Sequence, residues 1–276
     1  MPTTNGDTNW GRFGAEDERG MLNMLTPEVV LAATRAPRTG TVYSLALPIQ
    51  RHGVPYFDYR GAPVRLPLTH QSDPDHFTAY GSPDHLGANE DVLILASHNE
   101  THLDALSHVY NERKMYNGFD GTEVKSTGAR RGSIMCARDG IVSRGVLLDI
   151  PRLLGVDYLP DNMAITVAQL EAAEAAHGVR VEEGDILLVA TGRDAKREQV
   201  GPTSPMDGMA GLHPECAAWI HARRVAVLGS DGVSDPLPSV GTPGWSMPIH
   251  QTTLPAMGVH LLDNLRLDRL CAACAE

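Results

Sequence analysis

Four cysteines in 276 residues, Cys136, Cys216, Cys271 and Cys274, are too few and too scattered for a disulfide scaffold. Cys271-Ala-Ala-Cys274 is a close pair, but no second CxxC exists to complete a zinc site. It also falls in the last six residues, where free thiols on a terminal helix are the expectation. Long hydrophobic runs are missing, so no membrane span is expected. The opening stretch Met1 to Trp10 has neither a basic segment nor an apolar one, so it does not read as a secretory signal, and the cytoplasm is the expected location. Positive charge is in deficit: 23 Lys and Arg stand against 34 Asp and Glu, a formal net charge of -11. Nucleic acid and anionic membranes would be repelled, and the small cluster Arg130-Arg131, with Arg138 and Arg144 further on, does not reverse this. Signature motifs are missing too. There is no G-x-G-x-x-G after a strand and no phosphate-binding loop, against a nucleotide role. There is no G-x-S-x-G elbow, against a serine nucleophile. Nothing around Cys136 marks it as an activated thiol.

What the chain does have is an ordinary globular composition, 42% hydrophobic, which argues against disorder. Thr26-Pro27-Glu28 has the form of a helix start: a capping hydroxyl, proline at the first position, then an acid. Val42 to Leu47 and the run Val92 to Ala96 read as strands, the second as a buried one leading to His98. Gly145 to Ile150, Asp185 to Ala190 and Val225 to Gly229 read as further strands, and Gly258 to Leu262 reads as extended. Between them, Thr166-Val-Ala-Gln169 is a capping box for a helix ending at His177-Gly178, and His213-Pro214 opens another through Trp219. Alternating strands and helices predict an α/β fold with a mixed sheet. With no repeat and no linker, one domain over 1–276 is expected. Residues 48–90 are rich in Pro, Gly, Asp, His and aromatics, and are expected to be irregular. Because aromatic rings are costly to leave in water, this segment is expected to cover a pocket, with Tyr56, Phe57 and Phe77 as candidate lining residues.

Twelve histidines are present, and three of them lie with an aspartate in His98-Asn-Glu-Thr-His102-Leu-Asp104-Ala-Leu-Ser-His108. Imidazole nitrogen and carboxylate oxygen suit zinc, manganese or iron, and two His with one Asp leave positions open for water and substrate. A helix would align His98 with His102 but not with Asp104, and an extended segment would align only His102 with Asp104. A strand ending near Ser97 followed by a tight loop could bring all three together. A solvated polar loop is the alternative.

These eleven residues resemble the motif H-x-G-T-H-x-D-x-P-x-H of the metal-dependent cyclase-type hydrolases, which include kynurenine formamidase, isatin hydrolase and trans-dienelactone hydrolase. Every His, Thr and Asp position matches, while Glu100 replaces the glycine and Leu106 the proline. Ser230-Asp231-Gly-Val-Ser234-Asp235, His250 and Asp263-Asn264-Leu265 resemble the family's C-terminal pattern, with Asp263 in place of a glutamate. The likeness runs from about residue 40 to the C-terminus, and within the N-terminal extension 1–40 the segment Trp10-Gly-Arg-Phe-Gly14 through Asp17-Glu18-Arg19-Gly20 resembles a longer branch.

That resemblance implies a swivelling β/β/α domain with helices flanking the sheet, assembled as a homodimer or homotetramer. It implies a first metal on His98, His102 and Asp104, with Asp104 bridging to a second on His250 and Asp263. His108 would move protons. Asp231 or Asp235 would orient a ligand histidine, and Glu100 would face solvent, narrow the pocket or bind metal. The implied cofactor is zinc or manganese, one or two ions per chain. The implied activity on a small-molecule substrate is hydrolysis of an amide, cyclic amide or imide, or lactone. A metal-dependent lyase or cyclase and a non-catalytic metal-binding protein are the alternatives.

Overall fold

The computed structural model describes residues 8–52, 58–70 and 88–275. In chain order the elements are α1 (Pro27–Ala33), β1 (Val64–Thr69), β2 (Glu90–Ile94), β3 (His102–Leu103), β4 (Val124–Lys125), β5 (Gly128–Ala129) and β6 (Gly145–Asp149). They continue through α2 (Ile150–Leu154), β7 (Ala164–Ile165), α3 (Val167–His177), β8 (Ile186–Ala190), α4 (Arg193–Val200) and β9 (Gly211–Leu212). The rest are α5 (Cys216–Arg223), β10 (Val227–Ser230), α6 (Pro248–Thr252), β11 (His260–Asp263) and α7 (Asp268–Ala275).

The central sheet has five strands in the order β3-β11-β10-β8-β6. Four run parallel, and β3 joins the edge antiparallel to β11, which makes the sheet mixed. This is the α/β architecture with a mixed, helix-flanked sheet that the alternating pattern predicts. Strand pleating sends successive side chains to opposite faces. Val146, Leu148, Leu187, Val189, Leu228 and Leu261 therefore pack into one core with Leu170 and Ala173 of α3 and Cys216, Ala217 and Ile220 of α5. Leu147, Ile186, Leu188, Ala190 and Leu262 belong to a second cluster with Leu265, Leu267 and Cys271. Thr166 caps α3 with the reciprocal capping box, and Gly178 ends it in a left-handed conformation.

The leading segment is part of this packing. Met21 and Leu22 are buried. The Asn9 N–H donates to the Ala256 carbonyl, and the Met21 N–H to the Gly258 carbonyl. Gly20 makes that approach possible, because a Cβ there would lie 2.2 Å from the Gly258 oxygen.

Three expectations need correction. Val42 to Leu47 is not a strand: it runs beside the site without a ladder partner, held by single hydrogen bonds such as Arg266 N–H to the Leu45 carbonyl. The run starting at Val92 is not buried. β2 pairs antiparallel with β1 in a two-stranded ribbon, leaving Leu93 and Ile94 49% and 57% exposed. And residues 48–90 contain regular structure, since β1 lies within them; Pro67 breaks the strand signal, and the register shifts beside it.

Candidate metal centre

The loop 98–108 is held in shape from several sides. The Asn99 N–H bonds the Ala96 carbonyl, the His108 N–H bonds the Ala105 carbonyl, and the Ser107 N–H bonds the Gly132 carbonyl. The Thr101 hydroxyl donates to the Asn264 carbonyl and accepts from the Leu47 N–H at 2.8 Å. The two-residue strand β3 then pairs His102 opposite Asp263 and Leu103 opposite Leu262. The Asp104 N–H continues the pairing to the Leu261 carbonyl. No single regular element aligns His98, His102 and Asp104; a loop followed by an edge strand does.

Asp104 is fully buried and lies at the centre. His98 Nε2 is 3.3 Å from Asp104 Oδ1, His102 Nε2 3.4 Å and His108 Nε2 3.9 Å from the same oxygen. From the opposite side His250 Nε2 lies 3.5 Å from Asp104 Oδ2 and 3.3 Å from Asp263 Oδ2. Two sets of ligand atoms fall within 4.8 Å of one another, His98/Asp104/His108 and His102/Asp104/Asp263. The residues singled out from both ends of the sequence therefore meet in one place.

The chemistry of these donors calls for a cation. His102 Nδ1 sits 2.7 Å from the Glu100 carbonyl, which accepts only, so Nδ1 carries the proton and Nε2 presents a lone pair to Asp104. His250 Nδ1 lies 2.7 Å from Asp235 Oδ2 and is committed in the same way. In the neutral form that binds metal, these imidazoles would turn acceptors toward an acceptor, and both Asp104 oxygens lack a hydrogen bond. A divalent ion among these atoms satisfies all of them, so the side chains fit the group.

Electrostatics follow the same crowding. Burial alone would raise the Asp104 carboxyl, but the imidazoles of His102 and His98 overcome it and hold the group well below the usual carboxylate range. Burial raises Asp263 above that range. Burial opposes charging of His250, yet the Asp235 and Asp263 carboxylates outweigh it and push His250 well above an ordinary histidine. His108 is lowered to about 4, first by burial and then by the neighbouring imidazoles, with Asp104 acting against them. Burial raises Glu100.

Exposure is uneven. The His98 and His108 side chains remain 28% and 29% exposed, against 4% for His250 and 2% for Asp263. Their rings stack with centroids 4.0 Å apart. Among the described residues, His98 and His108 form the solvent-facing side of the cluster.

Asp235 lies against the histidine that it is expected to orient. Besides His250 Nδ1, it accepts from the N–H groups of Ile249 and His250, fixing the start of α6. Gly211 permits this packing, since a Cβ there would lie 2.2 Å from the Asp235 carbonyl carbon. Asp231 does something else. Its carboxylate accepts from the N–H groups of Thr191, Gly192 and Arg193 and from the Thr191 hydroxyl, tying the β8–α4 turn, and bonds no histidine. That is the turn-forming use of aspartate in a tight loop. The Ser234 hydroxyl donates to Asp263 Oδ1 at 3.1 Å, holding the shorter carboxylate.

Tyr56, Phe57 and Phe77, the candidate lining residues, lie outside the described residues. The described part of that segment does reach the site: Arg60 donates to the His98 carbonyl and Asn99 Nδ2 to the Gly61 carbonyl at 2.8 Å. Arg60 and Asn99 carry no sequence signal of their own, because each works by bonding a backbone carbonyl; Asn264, which belongs to the C-terminal pattern, bonds backbone carbonyls too.

Among the described residues no helix is long and apolar enough to cross a membrane. Fold and site together define an α/β protein with a His/Asp cluster able to hold a divalent metal at the edge of a mixed sheet. The chain belongs to the Cyclase family, whose model matches residues 43–235. A solved structure described as a novel cyclase is 31% identical with a TM-score of 0.86, covering 98% of this chain and 89% of that one. Two isatin hydrolases share the fold at lower identity. One, bound to the product analogue thioisatinate, is 17% identical with a TM-score of 0.59 and 88% of each chain covered. The other, isatin hydrolase A from Ralstonia solanacearum, is 19% identical with a TM-score of 0.58, covering 88% of this chain and 86% of that one. No curated protein matches the chain.

Proposed function

We propose that this protein is a metal-dependent hydrolase that cleaves an amide, a cyclic amide or imide, or a lactone. The observation that carries this is the buried Asp104 carboxylate faced by imidazole Nε2 atoms with no hydrogen bond among them. His98, His102 and Asp104 would hold one ion, and Asp104, His250 and Asp263 a second. A zinc or manganese ion held there supplies Lewis acidity toward a carbonyl and makes water a nucleophile near neutral pH.

The chain's own groups do the rest. Asp235 and the Glu100 carbonyl fix the tautomers of His250 and His102, so that both present Nε2 inward. His108 stands on the solvent-exposed side and is unprotonated at neutral pH. It accepts a proton at Nε2 from the attacking water and delivers it to the leaving nitrogen or oxygen. Likeness in fold to isatin hydrolases supports a cyclic, nitrogen-containing substrate. The same reading takes residues 1–276 as one domain, working on a small molecule in the cytoplasm as a homodimer or homotetramer.

The test is turnover of a panel of N-formyl amines, cyclic imides and lactones in labelled water, with zinc or manganese supplied. Label in the product supports hydrolysis. The relative described as a novel cyclase favours a second reading, a metal-dependent lyase or cyclase; turnover without label would select it. No turnover on any member sinks the substrate class.

A further inference from the structure

A carboxylate withdrawn from water needs a positive partner or a set of donors. Glu100 has neither. It is 4% exposed, and neither of its carboxylate oxygens has a hydrogen-bond partner. It stands where the family motif has glycine, so no general requirement of the loop put a side chain there. Two more buried acceptors lie with it, the side-chain oxygens of Asn99 and Asn264, also unpartnered. Their identity as oxygens is fixed by their amide nitrogens. Asn99 Nδ2 donates to the Gly61 carbonyl at 2.8 Å and Asn264 Nδ2 to the Asn99 carbonyl at 3.2 Å. Among the described residues, one flank of the loop thus leaves these side-chain acceptors unmatched, its amide donors being spent on backbone carbonyls, beside the site where a divalent ion fits.

We propose that Glu100 is an outer carboxylate of the metal centre, compensating the ion's charge from the loop side without joining the atoms that converge on Asp104. Both sets of mutually close ligand atoms form without Glu100, which places it outside the inner set. With Asp104 and Asp263 it would bring three carboxylates to the surroundings of the ion. Oxygen-rich, strongly anionic surroundings favour a hard ion such as manganese. This inference rests on the reading that the centre holds a divalent cation.

The experiment titrates manganese chloride into chelator-stripped, full-length wild type, E100Q and E100G by calorimetry, and melts each protein with and without the ion. E100Q is expected to bind manganese about 10- to 100-fold more weakly, the range for residues that support ligands from outside the inner set. Metal-free E100Q is expected to melt above metal-free wild type, because an uncompensated buried charge has gone, and its rise in Tm on adding manganese should shrink. E100G, which restores the family's residue, should show the same loss of affinity and serves if E100Q does not fold. Equal affinity and an equal manganese-induced rise in Tm in wild type and variants would overturn the role of Glu100. Wild type that takes up neither manganese nor zinc would instead overturn the metal reading beneath it.

Discussion

His250 Nδ1 rests 2.7 Å from the Asp235 carboxylate, and the same carboxylate receives the backbone N–H groups of Ile249 and His250. One side chain thus sets both where α6 begins and which nitrogen His250 turns toward Asp104. Asp235→Asn keeps the volume and loses the charge. Its expected effect is a fall of about 10- to 100-fold in affinity for the second ion, because second-layer partners of metal-bound histidines contribute on that scale. Calorimetric titration with zinc or manganese checks this, and an unchanged isotherm would show that His250 orients without help.

His108→Ala is expected to retain metal, measured by elemental analysis, while turnover falls about 10²- to 10⁴-fold, the usual contribution of a positioned proton-transfer group. Loss of metal and activity together would make His108 a ligand instead.

The pH dependence of the metal-free protein follows from the same histidine. Its folded-state pKa, about 4, lies below the ordinary 6.5. Between these values the unfolded chain binds more protons than the folded one, so stability contributed at neutral pH is lost as pH falls from 6.5 toward 4. His250 and His102, both raised, act in the opposite direction, so the check is a comparison: on going from pH 7 to pH 5 the denaturation midpoint of the stripped wild type should change less favourably than that of H108A.

Removing the ion should loosen the fold. At a free-ion concentration about 100 times Kd, a bound ion adds about 2.7 kcal/mol of stability. For a chain of this size that corresponds to roughly 5 to 10 °C in Tm. Melting curves before and after chelation read this directly. An unchanged Tm on chelation of metal-loaded protein would mean that the cluster does not bind its ion in the folded state.

The cysteines offer a check on the packing alone. Cys216 is fully buried in the core, and burial pushes its thiol up to about 12. Iodoacetamide at pH 8 should label Cys274, which is exposed, and spare Cys216 until the protein is denatured. Mass spectrometry of partial digests would show the order.

Much of the sheet was legible because its strands are short apolar runs bounded by strong stop signals. The capping box at Thr166 and the glycine after His177 are local codes, and local codes survive whatever packs around them. The strand ending at Ile94 shows the limit. The run Val92 to Ala96 that starts within it is as apolar as β8, but hydropathy cannot say whether a partner face exists, and among the described residues β2 has only β1 beside it. The site was legible in membership more than in geometry. His98, His102, Asp104 and His108 announce themselves by spacing, and His250 and Asp263 through the family pattern. The clip between Thr101 and Asn264, and the alignment of β3 on β11, depend on long-range pairing that no spacing encodes.

That alignment is only two residue pairs long, yet it joins segments separated by some 160 positions, His102 to Asp263. Neither end of the chain alone carries the full set of inward-facing side chains. Synthesis must have passed Asp263 before a divalent ion has both sets of ligands around it. Were ions to fill both sets, they would mark a molecule in which β3 and β11 have already found each other.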